Sequence, residues 1–215
     1  RGVGIMSFLS YLINGISLGS IYAIIALGYT MVYGIARMLN FAHGDIIMVG
    51  GFAIFTAVST LGLPAGVGIL VGVVVCTILG VVIETIAYRP LRGASSLAVL
   101  ITAIGVSYLL QNVALLVFGS NARQFTSVVN VPSLKLAGGQ LSISGVTMVT
   151  IITCVVIMAA LTTFIKKTKI GQAMLAVSED RGAATLMGIN VNRTIAITFA
   201  IGSALAAVAG ALLCS

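Results

Sequence analysis

Ile69-Leu70-Val71-Gly72-Val73-Val74-Val75 is apolar at every position. A membrane barrel strand alternates between lipid-facing and lumen-facing residues with a period of two, so this run does not belong to a barrel. It lies inside residues 46–83, a window without a single Asp, Glu, Lys or Arg. Four further windows share that property: 2–36, 93–122, 136–165 and 194–215. A hydrocarbon core of ~30 Å is crossed by about 20 apolar residues in a helix, and backbone in lipid must satisfy its own hydrogen bonds. The windows are therefore read as helices.

Window 46–83 would measure about 57 Å as one helix at 1.5 Å per residue, nearly twice the core thickness. It contains Leu61-Gly62-Leu63-Pro64, where proline removes a helical hydrogen bond and clashes with the preceding turn. Splitting it there predicts about six spans: 6–32, 44–61, 65–88, 96–118, 145–165 and 194–215. The whole of 1–215 reads as one transmembrane domain, all-α and polytopic, with long connections at 119–144 and 166–193. Residues 2–36 exceed one span, which leaves open whether 33–45 is re-entrant.

Composition agrees. Of 215 residues 60% are hydrophobic and only 7% charged, against ~25% charged in soluble domains. Mean hydropathy is +1.22. Such a chain can neither coat a soluble globule with polar groups nor remain disordered.

Lys and Arg accumulate on the cytoplasmic side of short loops. Arg37, Arg89, Arg92, Lys166, Lys167, Lys169, Arg181 and Arg193 fall on one side of the six-span arrangement, and Arg1, Arg123 and Lys135 on the other. This bias places 33–43, 89–95 and 166–193 in the cytoplasm and 119–144 outside. The net charge of +7 is thus accounted for by topology, with no nucleic-acid partner required. The last window ends at Ser215 with no Lys, Arg, Trp or Tyr to anchor it at an interface, so the polypeptide is expected to continue beyond it, making 1–215 a C-terminally truncated fragment.

Enzyme motifs are absent from the sequence. No lysine follows a glycine, so there is no P-loop for ATP. Gly15-Ile16-Ser17-Leu18-Gly19 has the letters of a Gly-x-Ser-x-Gly motif but lies inside an uncharged window rather than at a strand-to-helix elbow, and no His-Glu-x-x-His pair occurs. Cys76, Cys154 and Cys214 lie far apart within spans, and His43 is the single histidine; no metal site is expected. The remaining classes are transporter, channel or structural membrane subunit.

Small residues one turn apart at Gly15/Gly19, Gly62/Gly66, Gly68/Gly72 and Ala206/Gly210 suit close helix packing. Polar residues inside the spans are either interhelical glue or the lining of a polar route. Asn14 and Ser17 share a face with Ser10 on the first helix, and Ser107, Gln111 and Asn112 lie mid-way along the fourth. Glu84 reads as the only acidic residue within a span, set to pair near Arg89. Asn40 and Gly44 would end and restart helices, with Asp45 favouring the next helix N-terminus.

In the connection 166–193, Ser178 is the expected N-cap of a short helix, and Glu179 and Asp180 suit its positive end. Arg181 follows. Gly182, Ala183 and Ala184 would allow another surface to approach, Leu186 and Met187 offer an apolar anchor, and Gly188 suits a left-handed terminus.

Gly182-Ala183-Ala184-x-x-x-Gly188 resembles the Glu-Ala-Ala-x-x-x-Gly loop of ABC importer permeases, with Gly182 where the general pattern has Glu. Gly28-Tyr29-Thr30-Met31-Val32-Tyr33-Gly34, Asn40-Phe41-Ala42-His43-Gly44, Ala87-Tyr88-Arg89-Pro90-Leu91-Arg92, Leu110-Gln111-Asn112 and Gly188-Ile189-Asn190-Val191-Asn192-Arg193 resemble one branch. That branch is the branched-chain amino acid permeases, in particular the smaller, H-type of the paired subunits, and the similarity covers 6–215. It implies an inner or plasma membrane protein of bacteria or archaea, importing solute by ATP-driven alternating access without an ATPase site of its own. Implied partners are a second permease subunit, two ATP-binding cassette subunits that hold the ATP, and a periplasmic or extracellular solute-binding protein. The helix 178–187 would then couple to the ATPase. Asn40 and His43 would lie near the translocation gate, with Asn14, Ser17, Ser107, Gln111 and Asn112 along the pathway. The same permease type serves urea and short-chain amides, an alternative substrate class. A secondary transporter or channel is the alternative mechanism, for which a carboxylate deep in the membrane is expected.

Overall fold

The computed structural model describes residues 2–121, 132–136 and 141–214. Among the described residues six helices are long and apolar enough to cross a membrane: Ser7–Ala36, His43–Thr60, Ala65–Leu91, Ser96–Phe118, Gly145–Lys167 and Val191–Leu213. Each coincides with an expected span to within a few residues. Arg1 and Arg123, two of the three basic residues assigned to the outer side, lie outside the described residues.

Helix α1 (Gly2–Ala36) runs unbroken for 35 residues. After an irregular stretch at 37–42 comes α2 (His43–Phe55), which continues as a π-helical turn, Thr56–Thr60. The turn at 61–64 is closed by Gly62 at φ 66° and by the Leu63 N–H donating to Ala57 O at 3.0 Å. Pro64 then precedes α3 (Ala65–Ile83), extended by a π turn, Glu84–Tyr88, and a 3-10 turn, Arg89–Leu91. Next come α4 (Ser96–Phe118) and α5 (Gly145–Lys167). Between them, β1 (Leu134–Leu136) pairs antiparallel with β2 (Leu141–Ile143), Leu134 opposite Ile143. This short hairpin was not anticipated in the 119–144 connection. Two short helices follow, α6 (Lys169–Glu179) and α7 (Arg181–Leu186), before α8 (Val191–Leu213).

Helix α8 is the hub of the bundle, packed against α1, α2 and α3. Its Gly202, Ala206, Ala207 and Gly210 are buried, and missing side chains permit backbone contact with three neighbours. A Cβ on Gly202 would stand 3.1 Å from Gly28 O of α1. One on Gly210 would stand 2.8 Å from Ile47 O of α2. On α3, Gly80 leaves room for Ser203 of α8, and Gly72 for Ile54 of α2. Hydrophobicity cannot drive helices together in lipid, so such van der Waals packing is what holds them. Of the expected small-residue pairs, Gly68/Gly72 and Ala206/Gly210 serve this purpose. A Cβ added at Gly15, Gly19, Gly62 or Gly66 would meet nothing within 4 Å, so those pairs are not close-packing points among the described residues.

The joint between α5 and α6 depends on Gly171. A Cβ there would collide with the backbone of Ile165 and with Phe164 O at 2.5 Å, atoms that cannot rotate away. Gly171→Ala is expected to cost about 1–3 kcal/mol through overpacking. In detergent it should lower the melting temperature and speed tryptic cleavage at Lys166, Lys167 and Lys169, whereas Gly15→Ala, which faces open space, should leave both unchanged.

Candidate functional site

The chain leaves the helix at Ala36 and returns to it at His43. Along 37–42 the burial alternates: Met38, Asn40 and Ala42 are buried, while Arg37, Leu39 and Phe41 are exposed. The segment is irregular: Arg37 takes φ 53°, and a turn at 41–42 is closed by the His43 N–H donating to Asn40 O at 3.2 Å. Non-helical backbone at membrane depth is tolerated where protein covers it or where it lines a cavity. Here the Tyr88 hydroxyl donates to Asn40 Oδ1 at 3.1 Å, and Tyr88 in turn packs on Phe199 of α8 with ring centroids 5.4 Å apart. His43 is buried against Gly28, edge-on to Tyr29 at 6.0 Å. Its Nε2 has no partner among the described residues. Tyr22, Tyr29, Thr30, Asn40, Phe41 and His43 border a cavity of about 430 Å³.

Asp45 belongs to α2, so Glu84 is not the only acidic residue within a span. Its side chain is buried. The Ser107 hydroxyl donates to Oδ2, and Gln111 Nε2 donates to Oδ1 at 3.0 Å. Ser107 stands eleven residues into the 23 residues of α4, about 16 Å along it at 1.5 Å per residue. A ~30 Å core therefore has this carboxylate near its middle. A charge at that depth is costly unless hydrogen-bonded or facing water. Gln111 is itself exposed at the surface of the chain, so the cluster opens away from the protein core. Toward the far end of α4, Phe118 stacks on Phe52 of α2 at 4.2 Å.

Of the residues expected along a pathway, Asn40 and His43 meet in one stretch and Ser107 and Gln111 meet at Asp45. Asn112 bonds instead to its own helix, donating to Tyr108 O at 2.7 Å. Asn14 is exposed and lies two turns or more beyond Tyr22, away from the His43 level. Ser17 is half-buried on the same outer half of α1. The structure does not bring these two to the cluster.

At the basic end, Glu84 is 1% exposed and pairs with Arg92 rather than with Arg89. Arg92 also donates to Asn192 Oδ1 at the start of α8. The π and 3-10 turns between Glu84 and Arg92 bring the two side chains to the same place. Burial pulls the Arg92 guanidinium below its ordinary value, and Glu84 opposes that pull.

Residues 166–193 form two helices where one was expected. Thr168 caps α6 by accepting from Gly171 N–H at 3.0 Å. Ser178 is not the N-cap of the following helix: it lies in the last turn of α6, its hydroxyl donating to Leu175 O at 2.6 Å, and Glu179 ends α6. The cap is Asp180, which accepts from Gly182 and Ala183 N–H at 2.7 and 3.1 Å. A carboxylate satisfies two orphan donors at once and suits the helix dipole. Gly188 ends the turn at φ 80°, as expected. Ala184 turns inward at 3% exposure, whereas Leu186 and Met187 stand 90% and 82% exposed; Gly182 and Ala183 are also exposed.

Two arginines fix this loop to the bundle by exchange. Arg37, the residue after α1, donates to Ser178 O at the end of α6 at 2.6 Å. Arg181, just beyond α6, donates to Ala36 O at the end of α1. Each guanidinium thus satisfies a terminal carbonyl of the other's helix, where a cation is favoured. Arg37 adopts φ 53°, a conformation that usually calls for glycine at a helix end; glycine there would have no side chain to reach Ser178. Burial, then the charges of Arg92 and Arg37, hold the Arg181 guanidinium below its ordinary value. Sequence reasoning did not single out Asp45, Tyr88, Arg37 or Asn192 for these contacts, because all four act across elements 48 to 141 residues apart.

Residues 11–215 match the family described as the permease component of the branched-chain amino acid transport system. The chain is 44% identical to the Escherichia coli protein named high-affinity branched-chain amino acid transport system permease protein LivH, over 96% of this chain and 70% of that one. It is 40% identical to the permease protein BraD of the corresponding system in Pseudomonas aeruginosa, over 97% and 71%. A probable LivH of Methanocaldococcus jannaschii is 29% identical over 90% of this chain and 62% of its own. No solved structure matches. With six apolar helices and these relatives, the chain is a multi-pass inner-membrane protein belonging to the branched-chain amino acid permease family.

Proposed function

We propose that this chain is a permease subunit of a binding-protein-dependent ABC importer that moves leucine, isoleucine and valine inward by ATP-driven alternating access. A second permease subunit completes the pathway, two cassette subunits bind and hydrolyse the ATP, and an external solute-binding protein delivers the solute. The observation that carries the reading is α7. It is a capped turn of helix that presents Leu186 and Met187 almost fully exposed while the Arg37–Arg181 exchange fastens its base to α1. Exposed apolar side chains on a rigid mount, at the end with the most Lys and Arg, suit insertion into a groove of a cytoplasmic ATPase.

Asp45 bears on the alternative mechanism. A deep carboxylate is what an ion-coupled carrier needs, and this chain has one. Membership of the permease family, rather than the lack of such a group, argues against ion coupling. In the ABC reading Asp45 and its two donors line the route between permease subunits and offer a polar surface at mid-membrane depth.

Two measurements test these roles in proteoliposomes that hold the assembled transporter and an ATP supply. Leu186→Asp with Met187→Asp should abolish co-purification of the ATPase and cut uptake at least about tenfold, the equivalent of ~1.4 kcal/mol. The melting temperature of the chain itself should not move, since neither side chain packs internally. Retained ATPase with normal uptake would remove α7 from the interface. Asp45→Asn keeps the acceptor for Ser107 and removes the charge; leucine uptake should fall about tenfold with the ATPase still bound. Uptake that dissipates with a proton ionophore yet needs no ATP would replace the ABC reading by ion coupling.

A further inference from the structure

The transport reading leaves one cavity at the basic end without a role. It measures about 380 Å³ and lies between the end of α1, the 37–39 segment, the α3–α4 turn and the first turn of α4. Three guanidiniums border it, those of Arg37, Arg92 and Arg181. Only Glu84 among the described carboxylates pairs with any of them, so two positive charges stay uncompensated there. Arg92 Nε is buried without a hydrogen-bond partner among the described residues. The first turn of α4, capped by Ser95, adds the positive end of a helix dipole to the same wall.

Gathering like charges and holding Arg37 at φ 53° both cost free energy. The exchange of arginines between α1 and α6 explains two guanidinium positions; it does not explain why three guanidiniums border one cavity. An anion seated in the cavity would meet that charge. Forked guanidiniums match the oxygens of a phosphate. Most of the rest of the wall, Tyr33, Met38, Leu39, Leu91, Val99 and Leu100 among it, is aliphatic or aromatic, and most of that comes from the ends of membrane spans. Such a site, charged at headgroup depth and apolar toward the core, suits an amphiphile better than a carboxylate-bearing protein surface.

We propose that the Arg37–Arg92–Arg181 cavity is a binding site for the phosphate of an anionic phospholipid of the inner leaflet. The lipid phosphate neutralises the cluster, and its acyl chains follow the apolar wall along α1 and α4. Because Arg37 and Arg181 also clamp the α6–α7 loop, occupancy would bear on how firmly that loop is held.

The assembled transporter, extracted from membranes of phosphatidylcholine with phosphatidylglycerol, is examined by native mass spectrometry. Retention of phosphatidylglycerol over phosphatidylcholine is expected in the unaltered protein, and inorganic phosphate should not displace it. Arg37→Gln with Arg181→Gln should lower that retention at least about tenfold (~1.4 kcal/mol), while Arg89→Gln, an exposed arginine outside the cavity, should not change it. Equal retention of the two lipids by the unaltered protein would overturn the proposal, whether or not the double variant assembles. So would equal loss with Arg89→Gln, which would mean general surface charge. Displacement by inorganic phosphate would assign the site to free phosphate instead of lipid.

Discussion

Backbone that leaves the helix within a membrane has to be hidden from lipid, and residues 37–42 are where this chain meets that constraint. With no water to compensate it, each unpaired amide there would cost several kcal/mol. The bundle answers by bringing α8 against α1, α2 and α3 at glycines and alanines. The resulting enclosure covers Met38, Asn40 and Ala42 and seats Tyr88 over Asn40. Placing α2's first residue beside Gly28 then sets Asp45 opposite Ser107 and Gln111. The polar features at mid-depth are thus consequences of packing that is itself apolar.

Charge is distributed with matching economy. Glu84 and Arg92 lie buried together, and removing one would strand the other, which is far costlier than losing a surface pair. Asn192 joins them, so the α3–α4 turn and the start of α8 share one network. Asp180 is spent on a helix terminus, Arg37 and Arg181 on two more.

The spans were legible because hydrocarbon thickness leaves little freedom: uncharged windows, Pro64 and the Lys/Arg bias suffice to count six. Gly188 was equally legible, since a left-handed helix terminus has a residue preference of its own. Ser178 was misplaced as a cap because both Ser178 and Asp180 satisfy the local rule, and only the longer α6, held by Gly171 at its root, decides between them. Asp45 looked like a helix-terminus residue and is one; that it sits at mid-membrane depth follows from where α1 and α8 place His43, which no local pattern encodes. Glu84 was read correctly as half of an ion pair, but the π turn after it selected Arg92 over the nearer Arg89.

The unbroken length of α1 gives the arginine exchange a mechanical meaning. Thirty-five residues make a rod of about 52 Å at 1.5 Å per residue, gripped at its inner end by the α6–α7 loop. Along that length α1 packs on α8 and α5 and touches β2, so a displacement at the grip is passed to the bundle on one side of the rod. On the outer half an added Cβ at Gly15 or Gly19 would meet nothing among the described residues, so that bare face is where a neighbour could come close to a helix tied to the loop.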